Sequence, residues 1–139
     1  MKPKAQRLTA MDYAAIAAFR LELRRFLLFS ETAAARLGLP PQQHQALLAI
    51  AGHAGAGRPS VGTIAQQLLI APHTAAELVS RMVQAGLVTK AAAPEDQRRI
   101  ELSLTPKADR KLRQLTAAHL HELENLEPAL SRALKRPAM

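Results

Sequence analysis

Two short amphipathic helices followed by a strand-rich segment, within residues 60–104, constrain the fold of this chain most strongly. Ser60 is a good N-cap for the first helix, and Pro72 and Gly86 mark the start and end of the second. Each helix is predicted from an apolar stripe at helical spacing, formed by Val61, Ile64, Ala65 and Leu68 in the first and by Ala75, Leu78, Val79 and Met82 in the second. The two helices therefore bury one face each and lie close together in sequence.

The opposite face of the second helix is polar. It carries Thr74, Glu77 and Arg81, with His73, Ser80 and Gln84 beside them. Short polar groups and one arginine on such a face suit a DNA major groove, with Thr74 and His73 near the helix N-terminus contacting bases or phosphates. Arg81 is predicted to contact a guanine or the backbone. Glu77 either accepts a hydrogen bond from cytosine or pairs with Arg81.

Two strand-like runs follow, residues 87–90 and 99–104, separated by the charged loop AAAPEDQRR. They predict a hairpin next to the two helices, which together form a winged helix-turn-helix. At the hairpin tip, the Arg98 guanidinium is suited to a narrow minor groove, and Asp96 is placed to orient it or to brace the wing. The alternative is an ordinary solvated loop charge. Lys90 and Arg99 are predicted to contact phosphates.

The order of these segments resembles the MarR family of bacterial transcriptional regulators. The likeness runs from about Met11 to Leu134, and its most specific part is Asp96-Gln97-Arg98 followed by a strand and then Leu-Thr-Pro. It implies a mainly α protein with a small β-hairpin wing, in which N- and C-terminal helices make a dimer. The chain departs from the usual family pattern at residues 91–93 and 71–72, where alanine and proline replace basic residues.

Long apolar helices flank the winged segment. The first runs to about Leu37 and contains every phenylalanine of the chain, and Asp12 can cap or charge its start. The last begins at Thr105 and Pro106. Pro128 predicts a break near Glu127, which would give two helices there. We therefore expect one MarR-like domain over residues 1–139, with dimerisation helices at 11–37 and 106–136 and a DNA-binding lobe at 40–104.

Composition limits the alternatives. The 139 residues carry a formal charge of +8 with a pI near 10.9, which favours a polyanionic partner. An anionic membrane is the rival, but no apolar run approaches the roughly 20 residues that span a bilayer. The basic segment at residues 1–10 lacks the apolar core of a signal peptide, so a cytoplasmic location is expected. Cysteine is absent, which excludes disulfides and the thiol-based peroxide sensing known in the family.

Catalytic and metal chemistry are not expected. His119 and His121 are two residues apart and point to different faces of a helix, so they do not share an ion, and His121 beside Glu124 is more typical of a solvated surface. No nucleophilic triad or paired carboxylates stand out, so neither an enzyme nor a cofactor is predicted. By family resemblance, an effector pocket would involve Phe19, Phe26 and His44, although a phenylalanine stripe is more often core or subunit contact. His44, in PQQHQALL, is expected on the helix surface or at a pocket edge.

Two functions follow from the sequence. The first is a homodimeric, sequence-specific regulator of transcription, in particular a repressor that binds a near-palindromic double-stranded DNA operator and is released by a small molecule. The alternative is a winged-helix module that binds another protein and has no specific operator. Asp96, Arg98 and the basic balance favour the first.

Overall fold

The computed structural model describes residues 7–55 and 57–135. Residues 1–6 of the predicted basic arm and residue 136 of the predicted C-terminal helix lie outside this part of the chain. Within the described residues, the elements in order are α1 Ala10–Arg36, α2 Pro41–Ala51, α3 Val61–Leu68, α4 Pro72–Gln84, β1 Val88–Ala93, β2 Asp96–Leu104 and α5 Pro106–Leu134. The fold class predicted from the sequence, mainly α with a β-hairpin wing, is confirmed.

The chain is divided into two compact units. The helical unit contains residues up to 32 and from 117 onward, and the winged-helix unit contains residues 33–116. The end of α1 and the start of α5 therefore belong to the winged-helix unit. Ala34 from α1 and Leu112 and Leu115 from α5 are buried in its core.

The core of the winged-helix unit is built from the two predicted stripes. Ile64 and Ala65 of α3 are buried, as are the predicted stripe residues of α4, which are Ala75, Leu78, Val79 and Met82. Leu47 of α2 and Leu102 of β2 complete this core from the other elements, and both are fully buried. The periodicity of three and four therefore identified the buried faces of both helices.

The helix ends follow the predicted caps. The Ser60 hydroxyl accepts a hydrogen bond from the Thr63 N–H, while the Thr63 hydroxyl accepts one from the Ser60 N–H. At the start of α5, the Thr105 Oγ1 accepts from the Ala108 N–H at 3.2 Å and donates to the Gly86 carbonyl at 2.7 Å. Gly86 has φ +73°, a left-handed conformation that suits glycine after a helix. The cap of α5 is thus tied directly to the end of α4.

The hairpin is longer than the sequence predicted. The expected loop at residues 91–99 is wrong, because β1 extends to Ala93 and β2 begins at Asp96, leaving Pro94 and Glu95 as the turn. Alanine is a weak strand former, but pairing with β2 overrides this preference. The antiparallel register joins Ala92 to Ile100 and then Ala93 to Asp96, so a bulge contains residues 97–99.

The helical unit confirms one expectation and contradicts another. Asp12 lies in the first turn of α1, and its carboxylate accepts a hydrogen bond from the Thr9 N–H at 2.8 Å, so it caps the helix as predicted. The predicted break near Glu127 is wrong, because α5 continues through Pro128 to Leu134. Proline removes one helical hydrogen bond there, and the bonds on either side, with buried Ala129 beside it, keep the helix continuous.

Candidate nucleic-acid interface

The outer face of α4 is the first part of the candidate interface. His73, Glu77, Ser80 and Arg81 are exposed, as predicted from the sequence, whereas Thr74 is half-buried. His73, Glu77, Ser80 and Gln84 recur at spacings of four, three and four, which aligns them in one row along the helix. Arg81 borders this row on one side, and Thr74 lies at its margin, next to buried Ala75.

Gln84, which the sequence placed beside the polar face, was not among the residues predicted to contact DNA. It is exposed and continues the row of His73, Glu77 and Ser80 toward the end of α4. Its helical spacing was the available signal. The predicted alternative partner for Glu77 was Arg81, but the ion pairs of the described residues do not include that pair. Both side chains are therefore available to contact a ligand on the outer face of α4.

The wing tip is the second part of the candidate interface. Arg98 lies in the bulge of β2, and 94% of its side-chain surface is exposed. The Asp96 Oδ1 accepts a hydrogen bond from the Arg98 N–H at 3.0 Å and lies 3.5 Å from the Arg98 Nε. An exposed ion pair contributes at most about 1 kcal/mol to folding. Its effect is instead to orient the guanidinium, because one carboxylate contacts both the backbone and the side chain of Arg98.

The two other predicted wing cations differ from each other. Lys90 is exposed on β1, opposite Leu102 of β2. Arg99 is half-buried, and its Nη2 donates to the Arg58 carbonyl oxygen at 2.8 Å. Arg58 belongs to the glycine-rich loop before α3, which composition identified only as a loop. Its Nη1 donates to the Ser103 hydroxyl at 3.0 Å, a contact that no local sequence pattern predicts.

Two lysines of the winged-helix unit are engaged by helix ends. Lys107 Nζ donates to the Ala85 carbonyl at 2.9 Å, just after α4, and Lys111 Nζ donates to the Leu37 carbonyl at 2.7 Å, just after α1. Carbonyl groups at a helix C-terminus carry partial negative charge and favour cations. These ammonium groups therefore stabilise the fold, and part of the basic surplus is not offered to a polyanion.

The residues predicted to line an effector pocket fall in different units. Phe19 and Phe26 are half-buried on α1 in the helical unit, where Phe26 lines a cavity of about 370 Å³. His44 is only 2% exposed and lies in the winged-helix unit, so the expectation of a surface or pocket-edge histidine is wrong. It lies three residues before the fully buried Leu47, on the buried face of α2, and this position places the ring in the core.

The remaining predicted histidines lie in the helical unit. His119 Nε2 is 2.7 Å from the Ser30 hydroxyl, and its ring meets those of Phe26 and Phe29 edge-on. The His121 Nδ1 is 3.9 Å from the Glu124 carboxylate, with both side chains exposed. Across residues 7–55 and 57–135, no group of three histidine or acidic side chains is arranged to hold a metal ion.

None of the helices in the described ranges is both long enough and apolar enough to cross a membrane.

Comparison with known proteins gives a family match over the winged-helix part of the chain. Residues 37–99 match the family model described as the MarR family, which confirms the resemblance drawn from the sequence. No curated protein sequence matches the chain.

Solved structures agree over most of both chains. AbsC, a MarR family transcriptional regulator from Streptomyces coelicolor, has a TM-score of 0.71 at 18% identity and covers 94% of each chain. A point mutant of MepR from S. aureus, bound to an oligodeoxyribonucleotide, has a TM-score of 0.64 at 17% identity and covers 95% of this chain and 86% of its own. CouR from Rhodococcus jostii RHA1, bound to p-coumaroyl-CoA, has a TM-score of 0.61 at 17% identity, with 83% and 87% covered. At these identities the likeness establishes the fold.

Proposed function

Because residues 37–99 of this chain match the MarR family model, we propose that the chain is a DNA-binding regulator of transcription. One observation carries the proposal. The same compact unit presents an exposed polar row on α4 and an exposed arginine at the wing tip, Arg98, which Asp96 holds through two contacts. The α4 row suits base edges in a major groove, and the wing guanidinium suits the adjacent minor groove.

The roles within this surface are divided by geometry. His73, Glu77, Ser80 and Gln84 lie in the row that would face the groove, with Arg81 and Thr74 at its edges. Lys90 lies on the wing and would contact a phosphate, because a flexible ammonium recognises a point charge rather than a base edge. The α4 residues would therefore determine sequence preference, while the wing cations supply affinity and position.

A second copy of the chain is the proposed partner of the helical unit. Its apolar residues remain in contact with water in one copy, including Ile16 at 56% exposure, Leu28 at 65%, Leu120 at 62% and Leu134 at 76%. Such a surface on a small domain is characteristic of an interface. A two-fold dimer would present two α4 helices to successive major grooves about 34 Å apart, so the operator would be near-palindromic.

We extend the proposal to a repressor that a small molecule releases. The solved CouR structure contains p-coumaroyl-CoA and the MepR structure contains an oligodeoxyribonucleotide, so proteins of this fold bind both classes of ligand. In this chain, the cavity beside Phe26 is lined by apolar and by charged side chains, and one of its arginines, Arg25, is paired with Glu22 at 2.7 Å. It is a candidate site for an amphipathic effector. No catalytic role is proposed for any residue.

The test is selection of binding sequences from a random double-stranded DNA pool, followed by titration against one and two copies of the recovered half-site. Light scattering on the same sample measures the oligomeric state. We expect a dimer that binds the paired half-sites far more tightly than one, with affinity that falls as salt rises. A monomer, or equal affinity for one and two half-sites, would contradict the dimer. Recovery of no common sequence would favour the protein-binding alternative.

A further inference from the structure

A single residue of the loop before α3 is held by three side chains of the wing. Arg99, Glu101 and Ser103 alternate along β2, so their side chains lie on one face of the strand. Arg99 Nη2 donates to the Arg58 carbonyl at 2.8 Å, and the Glu101 Oε2 accepts from the Arg58 N–H at 3.4 Å. The Arg58 Nη1 in turn donates to the Ser103 hydroxyl at 3.0 Å. The backbone N–H, the backbone carbonyl and the Nη1 of Arg58 are therefore all hydrogen-bonded to side chains of β2.

The backbone continues this attachment. The Leu102 N–H donates to the Pro59 carbonyl at 2.8 Å, and Ser60 forms an isolated antiparallel bridge with Glu101. Gly57 has φ +71°, and a Cβ added there would lie 3.7 Å from Arg99 Nη2 and 3.9 Å from Glu101 Oε2. Residues 57–60, which we name the clamp segment, therefore run along the edge of β2 that β1 does not occupy. Glycine allows the turn that brings the segment there.

Arg99 differs from Arg98 in its exposure and in its hydrogen bonds, the two properties that make a cation available to a phosphate. Arg98 is almost fully exposed, whereas Arg99 is half-buried and its Nε is buried without a hydrogen-bond partner. The Arg99 guanidinium already donates to a backbone carbonyl. The bulge also leaves residues 97–99 without ladder partners on β1, so the base of the wing tip depends on other contacts for its position. The contact to Arg58 is at that base.

We propose that Arg99 is a positioning residue that fixes the wing to the clamp segment and thereby sets the place of Arg98 at DNA. The proposal rests on the proposed function for its effect on DNA, but the attachment itself exists in the free protein. Arg99 contributes no phosphate contact of its own. Its loss therefore frees the base of the wing and weakens DNA binding indirectly, through the position of Arg98.

The first measurement uses the full chain without DNA. In Arg99→Met, which keeps the length of the side chain but removes the donor, the Leu102 amide should exchange its hydrogen roughly tenfold faster than in the unaltered chain, because the clamp segment opens more often. Arg99→Lys keeps a donor and a charge and should restore slow exchange. Arg98→Met is the matched control and should leave Leu102 unchanged. Equal exchange in Arg99→Met and the unaltered chain would overturn the proposal.

The second measurement is the dependence of DNA affinity on salt, using the sequence recovered by selection. Arg98→Met should lower the slope of log affinity against log salt by about 0.9 per protomer, as expected when one cation no longer displaces a counterion. Arg99→Met should weaken binding several-fold in the unaltered chain but have no further effect in the Arg98→Met background, because it acts through Arg98. A further loss of affinity and of slope when Arg99→Met is added to Arg98→Met would identify Arg99 as a DNA ligand in its own right and refute the proposal. Failure of the unaltered chain to bind DNA would contradict the proposed function, and the exchange at Leu102 would still decide whether Arg99 holds the wing.

Discussion

Replacement of Arg98 by alanine should weaken DNA binding while leaving the stability of the fold almost unchanged. The side chain is 94% exposed and its ion pair with Asp96 spans 3.5 Å, so its removal should change the free energy of unfolding by less than about 1 kcal/mol. The loss at DNA should be larger, because a guanidinium in the minor groove contributes roughly 1–3 kcal/mol, which corresponds to about 5- to 150-fold in affinity. The Asp96 Oδ1 would still accept the backbone N–H of residue 98, so the bulge should persist.

Fluorescence anisotropy with labelled operator DNA at two salt concentrations measures this loss, and thermal unfolding followed by circular dichroism measures stability. Asp96→Asn is the matched control. It keeps an oxygen that can accept the Arg98 N–H but removes the charge that faces the Arg98 Nε. We expect it to bind more weakly than the unaltered chain but more tightly than Arg98→Ala. Unchanged affinity of Arg98→Ala at both salt concentrations would refute the assignment of the wing tip to DNA.

Two further predictions concern the helices of the winged-helix unit. Thr74→Ala and Arg81→Ala should alter the motif recovered from a random DNA pool, because side chains in the groove determine which bases are preferred. Lys90→Ala should instead weaken binding to all sequences about equally, because a wing cation contacts the backbone. The same motif from every variant would mean that another face of α4 meets the DNA. Leu69, at the turn between α3 and α4, has φ +56° and is 91% exposed, so Leu69→Gly relieves backbone strain without loss of burial. Allowing for the greater freedom of glycine in the unfolded chain, we expect an unchanged or slightly raised free energy of unfolding, by up to about 1 kcal/mol in urea titration; destabilisation beyond that would contradict a strained Leu69.

Local patterns in the sequence were sufficient for the helices of the winged-helix unit. Apolar spacing identified the buried residues of α4, and cap residues such as Ser60 and Thr105 fixed helix starts because they bond within three residues. The length of the wing strands was harder to predict from the sequence. Alanine at residues 91–93 and Pro94 predicted a long loop, whereas strand pairing with β2, a non-local interaction, extends both strands to the turn.

The clamp segment was beyond sequence reasoning for the same physical reason. Its contacts join residues more than 40 positions apart, such as Arg99 to the carbonyl of Arg58. A carbonyl acceptor has no sequence signature, so Arg99 resembled a solvated cation as closely as Arg98 did. His44 shows the converse error. Polar neighbours in PQQHQ indicated a surface position, but the turn of α2 places this ring in the core.

The formal charge of +8 overstates what the chain offers to DNA. Lys107 and Lys111 donate to carbonyl groups after helix ends, and Arg99 donates to Arg58. Arg113 is paired with Asp109, whose hydrogen bond raises the pKa of Arg113, and this pair contributes nothing to the net charge. Each phosphate contact releases counterions, so the salt dependence of binding counts only the cations that meet phosphate. The slope per protomer should therefore be well below the net charge and should be set mainly by exposed cations such as Arg98 and Lys90. Sequence preference would then depend on the polar row of α4 and on Arg81 beside it, whose side chains are placed to meet base edges.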